Sequence, residues 1–150
     1  MPMIRPFKPE DLLNITMRDS DQPDFAGVNL QAHGQYFSAM SDEAVTVLQD
    51  GEILFCSGGV RLGKTCGVYL VVSSAGERYP LLLVKVLKKL ISNGRARGMV
   101  RFETLMNMQN ERALRFIEFL GFEREGVCRA TGENLLDRYL YAFIAPAEEA

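Results

Sequence analysis

Few side chains in this sequence are placed to do chemistry. Glu103 sits between Phe102 and Thr104 in an alternating run from Met99 to Met106. A carboxylate on such a strand can accept a proton, directly or through a water. Glu52 opens a second apolar run and can do the same; either residue is equally readable as an ordinary solvent-facing carboxylate. Gly76 and Arg78 stand just ahead of a helical run. Free backbone N–H groups and the positive end of a helix favour a phosphate there, and a guanidinium can grip one bidentately. Glu77, between them, opposes this. Asn110 precedes another helical run and can cap it. His33, Gln35 and Tyr36 group in the first half, where a lone histidine is more often a surface residue than a base. Cys56, Cys66 and Cys128 lie alone in apolar surroundings. Their odd number and lack of metal-ligand spacing point to buried thiols, with no metal site.

The elements that must hold these residues follow from periodicity and punctuation. Met3 to Phe7 reads as a strand at a sheet edge, because Pro6 cannot donate to a ladder. Pro9, Glu10 and Asp11 suit the first turn of a short helix that carries Leu12, Leu13, Ile15 and Met17. Ser20 to Gly27 is polar and turn-rich, and Asn29 to Met40 gives a second helix weakened by Gly34. Val45–Leu48 and Ile53–Cys56 flank Asp50-Gly51, a strong hairpin signal. Gly58-Gly59 marks a bulge or a close backbone approach. Arg61 to Lys64 turns the chain into a buried strand, Gly67 to Val72. Leu81 to Ile91 is a helix, buried through Leu83, Val86, Leu87 and Leu90 and solvated through Lys85, Lys88 and Lys89. Asn93-Gly94 ends it. The final helix starts at Asn110, carries Ala113, Phe116, Ile117 and Leu120 on one side and stops at Gly121. Phe122 then opens a hairpin that turns near Gly132 and Glu133 and returns along Leu140 to Ile144.

The chain has 150 residues, 47% of them hydrophobic, and a formal charge of −2. That is enough for one domain, residues 1 to 150, with a real core. The charge gives no electrostatic reason to expect nucleic acid or an acidic membrane. No apolar run reaches spanning length and the N-terminus lacks a leader pattern, so a cytoplasmic location is expected.

Three stretches carry a resemblance. The run N-E-R-A-L-R-F-I-E-F-L-G-F-E-R-E-G from Asn110 looks like the last conserved motif of the GCN5-related N-acetyltransferase (GNAT) superfamily. I-R-P-F-K-P-E-D resembles the opening strand and helix of that superfamily, and the D-x-Y-x-Y ending is common in its branch that modifies protein N-termini and small amines. The strand and helix order, β-α-α-β-β-β-α-β-α-β-β, is the order of that fold. The resemblance implies an α/β (α+β) domain with a mixed, mostly antiparallel sheet. Its fourth and fifth strands should run parallel and splay apart at Val72 and Asn107 in a V-shaped split.

It also implies acetyl-CoA as cofactor and a primary amine as acceptor. The pantetheine arm would lie along Val71 and Val72, and the pyrophosphate over Gly76 with Arg78. Asn110 would contact the cofactor or the acceptor, with Glu103 as base. The superfamily usually has a tyrosine acid on the last helix; Ile117 stands at that position, which leaves Tyr139 or Tyr141. The stretch V-V-S-S-A-G-E-R-Y-P-L-L lacks most of the small residues of the usual R/Q-x-x-G-x-G/A loop. In these departures the chain resembles short acetyltransferase-like proteins of bacteriophages, some of them virion-associated. The alternative to an enzyme is therefore a structural or host-interaction protein that keeps the fold. Ser20 to Met40 and the final hairpin would line the acceptor pocket, and a paired sheet edge offers a route to a homodimer.

Overall fold

A computed structural model describes residues 1–146. Seven strands form one sheet: β1 (Met3–Pro6), β2 (Ser41–Gln49), β3 (Glu52–Leu62), β4 (Thr65–Val72), β5 (Arg101–Asn107), β6 (Glu123–Thr131) and β7 (Leu136–Ile144). Their spatial order is β1-β2-β3-β4-β5-β7-β6. Pro6 lies on an outer strand, where its missing donor costs no ladder bond. Asp50 (φ 51°) and Gly51 (φ 80°) close the β2–β3 hairpin in the left-handed region that an Asp-Gly pair favours. β3 and β4 run longer than their apolar cores suggest. Gly58 and Gly59 do not break β3; they make room for neighbours. A methyl group on Gly58 would meet the Tyr69 hydroxyl, and one on Gly59 would meet the Cys66 sulfur. The bulge falls opposite them, at Asp42 in β2.

Helices cover both faces. On one face lie α1 (Asp11–Asn14), a 3₁₀ segment at Asp19–Phe25, and α2 (Leu30–Met40), which pack on Phe7, Ile53, Cys56 and Val71. On the other lie α3 (Pro80–Ala96) and α4 (Glu111–Phe119), over Phe55, Val72, Phe102 and Tyr141. The first helix is a single turn rather than the longer element that Leu12 to Met17 implies. The polar stretch after it forms the 3₁₀ segment instead of an open turn. Nor does Gly94 stop α3, which continues to Ala96. Gly94 lets the helix approach Phe102, whose ring a methyl group there would overlap. No helix among the described residues is long and apolar enough to cross a membrane.

The decisive feature is the β4–β5 pair. It is parallel, as a crossover through α3 requires, and it is joined only over Thr65–Gly67 against Arg101–Glu103. Beyond that rung the strands separate toward Val72 and Asn107. β5 instead pairs along its whole length with β7, and the rest of the sheet is antiparallel.

Candidate functional site

A cavity of about 540 Å³ occupies the split and passes between the two helical layers. Its lips are backbone. Ser73 N–H donates to the Leu54 carbonyl at 2.9 Å, so Phe55–Val72 is the open pair of the alternating ladder and Cys56–Val71 the bonded one. Val71 therefore spends its backbone on β3, while Leu70 and Val72 turn theirs toward the split. On the other lip, Arg101 N–H donates to the Lys64 carbonyl at 3.1 Å. The same alternation turns the backbone of Leu105 and Asn107 into the split, beyond the last paired rung.

Both ends of the split are bridged. On the α1/α2 side, the segment before the 3₁₀ turn makes a short antiparallel contact with the end of β4. Arg18 N–H donates to the Val72 carbonyl at 3.2 Å and Ser74 N–H to the Thr16 carbonyl at 2.9 Å. The 3₁₀ segment that follows reaches the other lip through side chains. Asn107 Nδ2 donates to Asp24 Oδ1 at 2.6 Å, and Asn110 Nδ2 donates to Asp21 Oδ1 at 2.9 Å and Asp24 Oδ2 at 3.1 Å. Arg18 Nε lies 2.8 Å from Asp21 Oδ2, both side chains buried. Burial pushes the Asp24 carboxyl above the usual range; its two amide donors and Arg138 pull the other way without cancelling the rise, to which Asp21 adds. On the α3/α4 side, Arg112 at the start of α4 pairs with Glu77 at 2.8 Å, across the opening between the two helix N-termini.

The residues named from the sequence are dispersed around this split. Glu103 lines the cavity at the last paired rung, with Oε2 2.6 Å from Arg101 Nε; Arg101 also holds Glu125 at 2.6 Å. Asn110 is buried at the α4 N-cap, its Oδ1 accepting from Ala113 N–H at 3.2 Å. Gly76 is buried with a methyl-sized space already filled by the Leu54 carbonyl; its N–H goes to Ser73 Oγ at 2.9 Å. Arg78 is exposed on the 3₁₀ turn Gly76–Arg78 and makes no ion pair or side-chain hydrogen bond with any described residue. Tyr141 is wholly buried against α4, away from the cavity lining. Its hydroxyl donates to Glu118 at 2.5 Å and accepts from Arg124 at 2.9 and 3.0 Å. His33 lines the cavity and lies 3.7 Å from Glu133. Glu52 opens β3 at the exposed hairpin and does not line it.

Sequence reasoning missed Arg18, Asp21, Asp24 and Arg112. A polar run in a turn-rich stretch carries no periodic signal to mark which of its carboxylates turn inward. Tyr69 was also missed; it lines the cavity, stacks on Phe37 at 3.8 Å, and bonds Ser41 Oγ at 2.8 Å.

No protein-family model and no curated protein matches the sequence. Solved structures do match over nearly the whole chain. Ard1 from Thermoplasma volcanium superposes with a TM-score of 0.79 at 16% identity, covering 97% of this chain and 98% of that one. The chain has the acyl-CoA N-acyltransferase (GNAT) fold. The yncA protein of Salmonella typhimurium, solved with its cofactor acetyl-CoA, matches with a TM-score of 0.70 at 16% identity over 99% and 96% of the two chains. The ribosomal-protein-S18-alanine N-acetyltransferase of Escherichia coli gives 0.68 at 16% identity over 99% and 97%. With this fold, the β4–β5 split is the place to test for a cofactor. Leu70 offers free backbone groups to an extended, amide-bearing arm. Among the N–H groups of the Gly76 turn, those of Gly76, Arg78 and Tyr79 are already bonded within the chain.

Proposed function

We propose that this chain transfers an acetyl group from acetyl-CoA to a primary amine. One observation carries the reading: a parallel strand pair that parts after Gly67 and Glu103 and opens unpaired backbone on a cavity of about 540 Å³. Unsatisfied backbone groups on a strand lip call for an added strand, and the pantetheine arm has that character. Leu70 and the Val72 N–H would hold it; Val71 would support it from behind. Arg78 would meet the pyrophosphate above Gly76, and Arg112 would join it by exchanging Glu77 for a phosphate oxygen. Asn110 would fix the α4 end of the channel. Acetyl-CoA supplies the activated acyl carbon as a thioester. The acceptor would enter from the α1/α2 side, between the 3₁₀ segment and the β6–β7 turn, where His33, Phe37 and Glu133 line the cavity. Proton removal would fall to a carboxylate on that side, Glu103 or Asp24. Tyr141, sealed under α4 with its hydroxyl held by Glu118 and Arg124, would serve the fold and not the proton transfer.

Calorimetric titration with acetyl-CoA, followed by thiol release in the presence of an amine panel, tests the reading. Binding heat with thiol release supports it. No heat at millimolar cofactor and no thiol release would sink it. A second reading has its own support: Arg18 occupies the Val72 carbonyl and Glu77 lies across the phosphate side. In that reading the chain is a binding protein with this fold and no turnover, such as a phage structural or host-interaction protein. It predicts a silent titration.

A further inference from the structure

We propose that Asp24 receives the ammonium group of the acceptor in the split and takes the proton from its nitrogen. This rests on the acyl-transfer reading above. Three observations lead to it.

The first is orientation. Asn107 Oδ1 accepts from Gln109 N–H at 3.0 Å, and Asn110 Oδ1 accepts from Ala113 N–H at 3.2 Å. Each amide is thereby fixed with its NH₂ outward, and both NH₂ groups converge on Asp24, one per oxygen. Only a group that accepts on both sides fits between them; an asparagine at position 24 would set NH₂ against NH₂. Each carboxylate oxygen keeps a further lone pair.

The second is charge. Asp21 has its cation in Arg18. Asp24 has none within ion-pair distance among the described residues. Arg138, the cation that faces it from β7, donates instead to the Thr131 carbonyl and hydroxyl and to Asn134 Oδ1. The other titratable groups lining this side of the cavity are His33 of α2, Tyr69 of β4, Glu133 of the β6–β7 turn and Glu103 of β5, the last held by Arg101. A half-buried carboxylate with two neutral donors and no cation is incomplete, and a protonated amine completes it.

The third is reactivity. Burial holds the Asp24 carboxyl above the usual range, which makes its ionised form the better proton acceptor. The step balances. The ammonium gives one proton to Asp24, and the nitrogen lone pair forms the C–N bond at the thioester carbon. The C–S bond breaks, CoA leaves as the thiolate, and the remaining proton on nitrogen is lost to solvent.

The test uses the whole chain and two assays. In the first, without acetyl-CoA, n-butylammonium is titrated and followed by the NMR signals of the Asp24 carboxyl carbon and the Asn107 and Asn110 side-chain amides. The alcohol 1-pentanol is the uncharged control. The expected result is a saturable shift with the ammonium and none with the alcohol. Asp24→Asn should lose about ten- to a hundredfold in affinity, and Glu52→Gln, outside the cavity, should bind as the wild type does. In the second assay, thiol release is measured against amine concentration and pH. Asp24→Asn should raise the KM for amine and remove the acid limb of the rate profile; Asp24→Glu should restore part of the rate. Wild-type signals unmoved by butylammonium overturn the proposal. So does Asp24→Asn with wild-type affinity, or an acid limb that follows Glu103→Gln. Should Asp24→Asn fail to fold, the wild-type carboxyl signal and Asp24→Glu decide. Butylammonium bound at Asp24 with no acetyl-CoA binding refutes the acyl-transfer reading and leaves the ammonium site standing.

Discussion

Replacing Asn110 separates its two structural roles. Asn110 caps α4 through Oδ1 and ties Asp21 and Asp24 to that helix through Nδ2. Asn110→Ala removes both. The cap is worth about 1 kcal/mol. The two hydrogen bonds to carboxylates contribute about 1.5 kcal/mol each, the lower end for charged partners, because Asp21 keeps Arg18 and Asp24 keeps Asn107. The sum is about 4 kcal/mol, which lowers Tm by about 8–16 °C in a chain of this size. Asn110→Ser keeps a cap and loses the ties, so it should fall by about 3 kcal/mol, or about 6–12 °C. Asn110→Asp also keeps the cap but sets a third carboxylate beside Asp21 and Asp24. It should melt lowest of the three at neutral pH and recover as the carboxylates protonate. Thermal melts by circular dichroism, checked by urea titration, read all three. If Asn110→Ser melts with the wild type, the ties contribute nothing and the argument fails. If it melts with Asn110→Ala, the cap contributes nothing.

Other outcomes follow from the same structure. Arg78→Ala should weaken CoA binding about ten- to a hundredfold by calorimetry, whereas Glu77→Gly should tighten it by freeing Arg112 and removing a like charge. Asp11 is buried, and burial raises its carboxyl, but Arg5, the Thr46 hydroxyl and Lys8 N–H together bring it below its ordinary 3.8. Its stabilisation is therefore full above that value and lost as pH falls through the lower folded one. The stability gap between wild type and Asp11→Asn should close over that range in urea titrations. Burial pushes the Cys56 and Cys66 thiols up to about 11, so alkylation of the native protein at pH 8 should label Cys128 first and the other two only on unfolding.

Much of the sheet was readable because its signals are local. Asp50-Gly51 specifies a left-handed turn wherever the chain goes afterwards, and the helix between Val72 and Arg101 forces a parallel return. The Asn110 cap and the Gly121 stop (φ 97°) are equally local. The site was less readable because it is assembled from a distance. Asp24 meets Asn107 across 83 positions and Asp21 meets Asn110 across 89, and neither pairing has a periodic signature. Gly94 reads as a helix stop and is a packing concession to Phe102. Strand alternation allows Tyr141 either face, and burial under α4 selects the one away from the cavity. Val71 and Val72 are indistinguishable in sequence; only the ladder phase shows which of them turns its backbone to the split.

The strap from Thr16 to Asp24 touches both lips, one through backbone and one through side chains. A ligand that moves either lip therefore works against the same few bonds as a ligand that moves the other. If an arm laid along β4 displaces Arg18 from Val72, the hold of Asp21 and Asp24 on α4 changes with it. Affinity at the two sides of the sheet is then a shared quantity. Whatever factor a bound cofactor applies to acceptor affinity, a bound acceptor must apply to cofactor affinity.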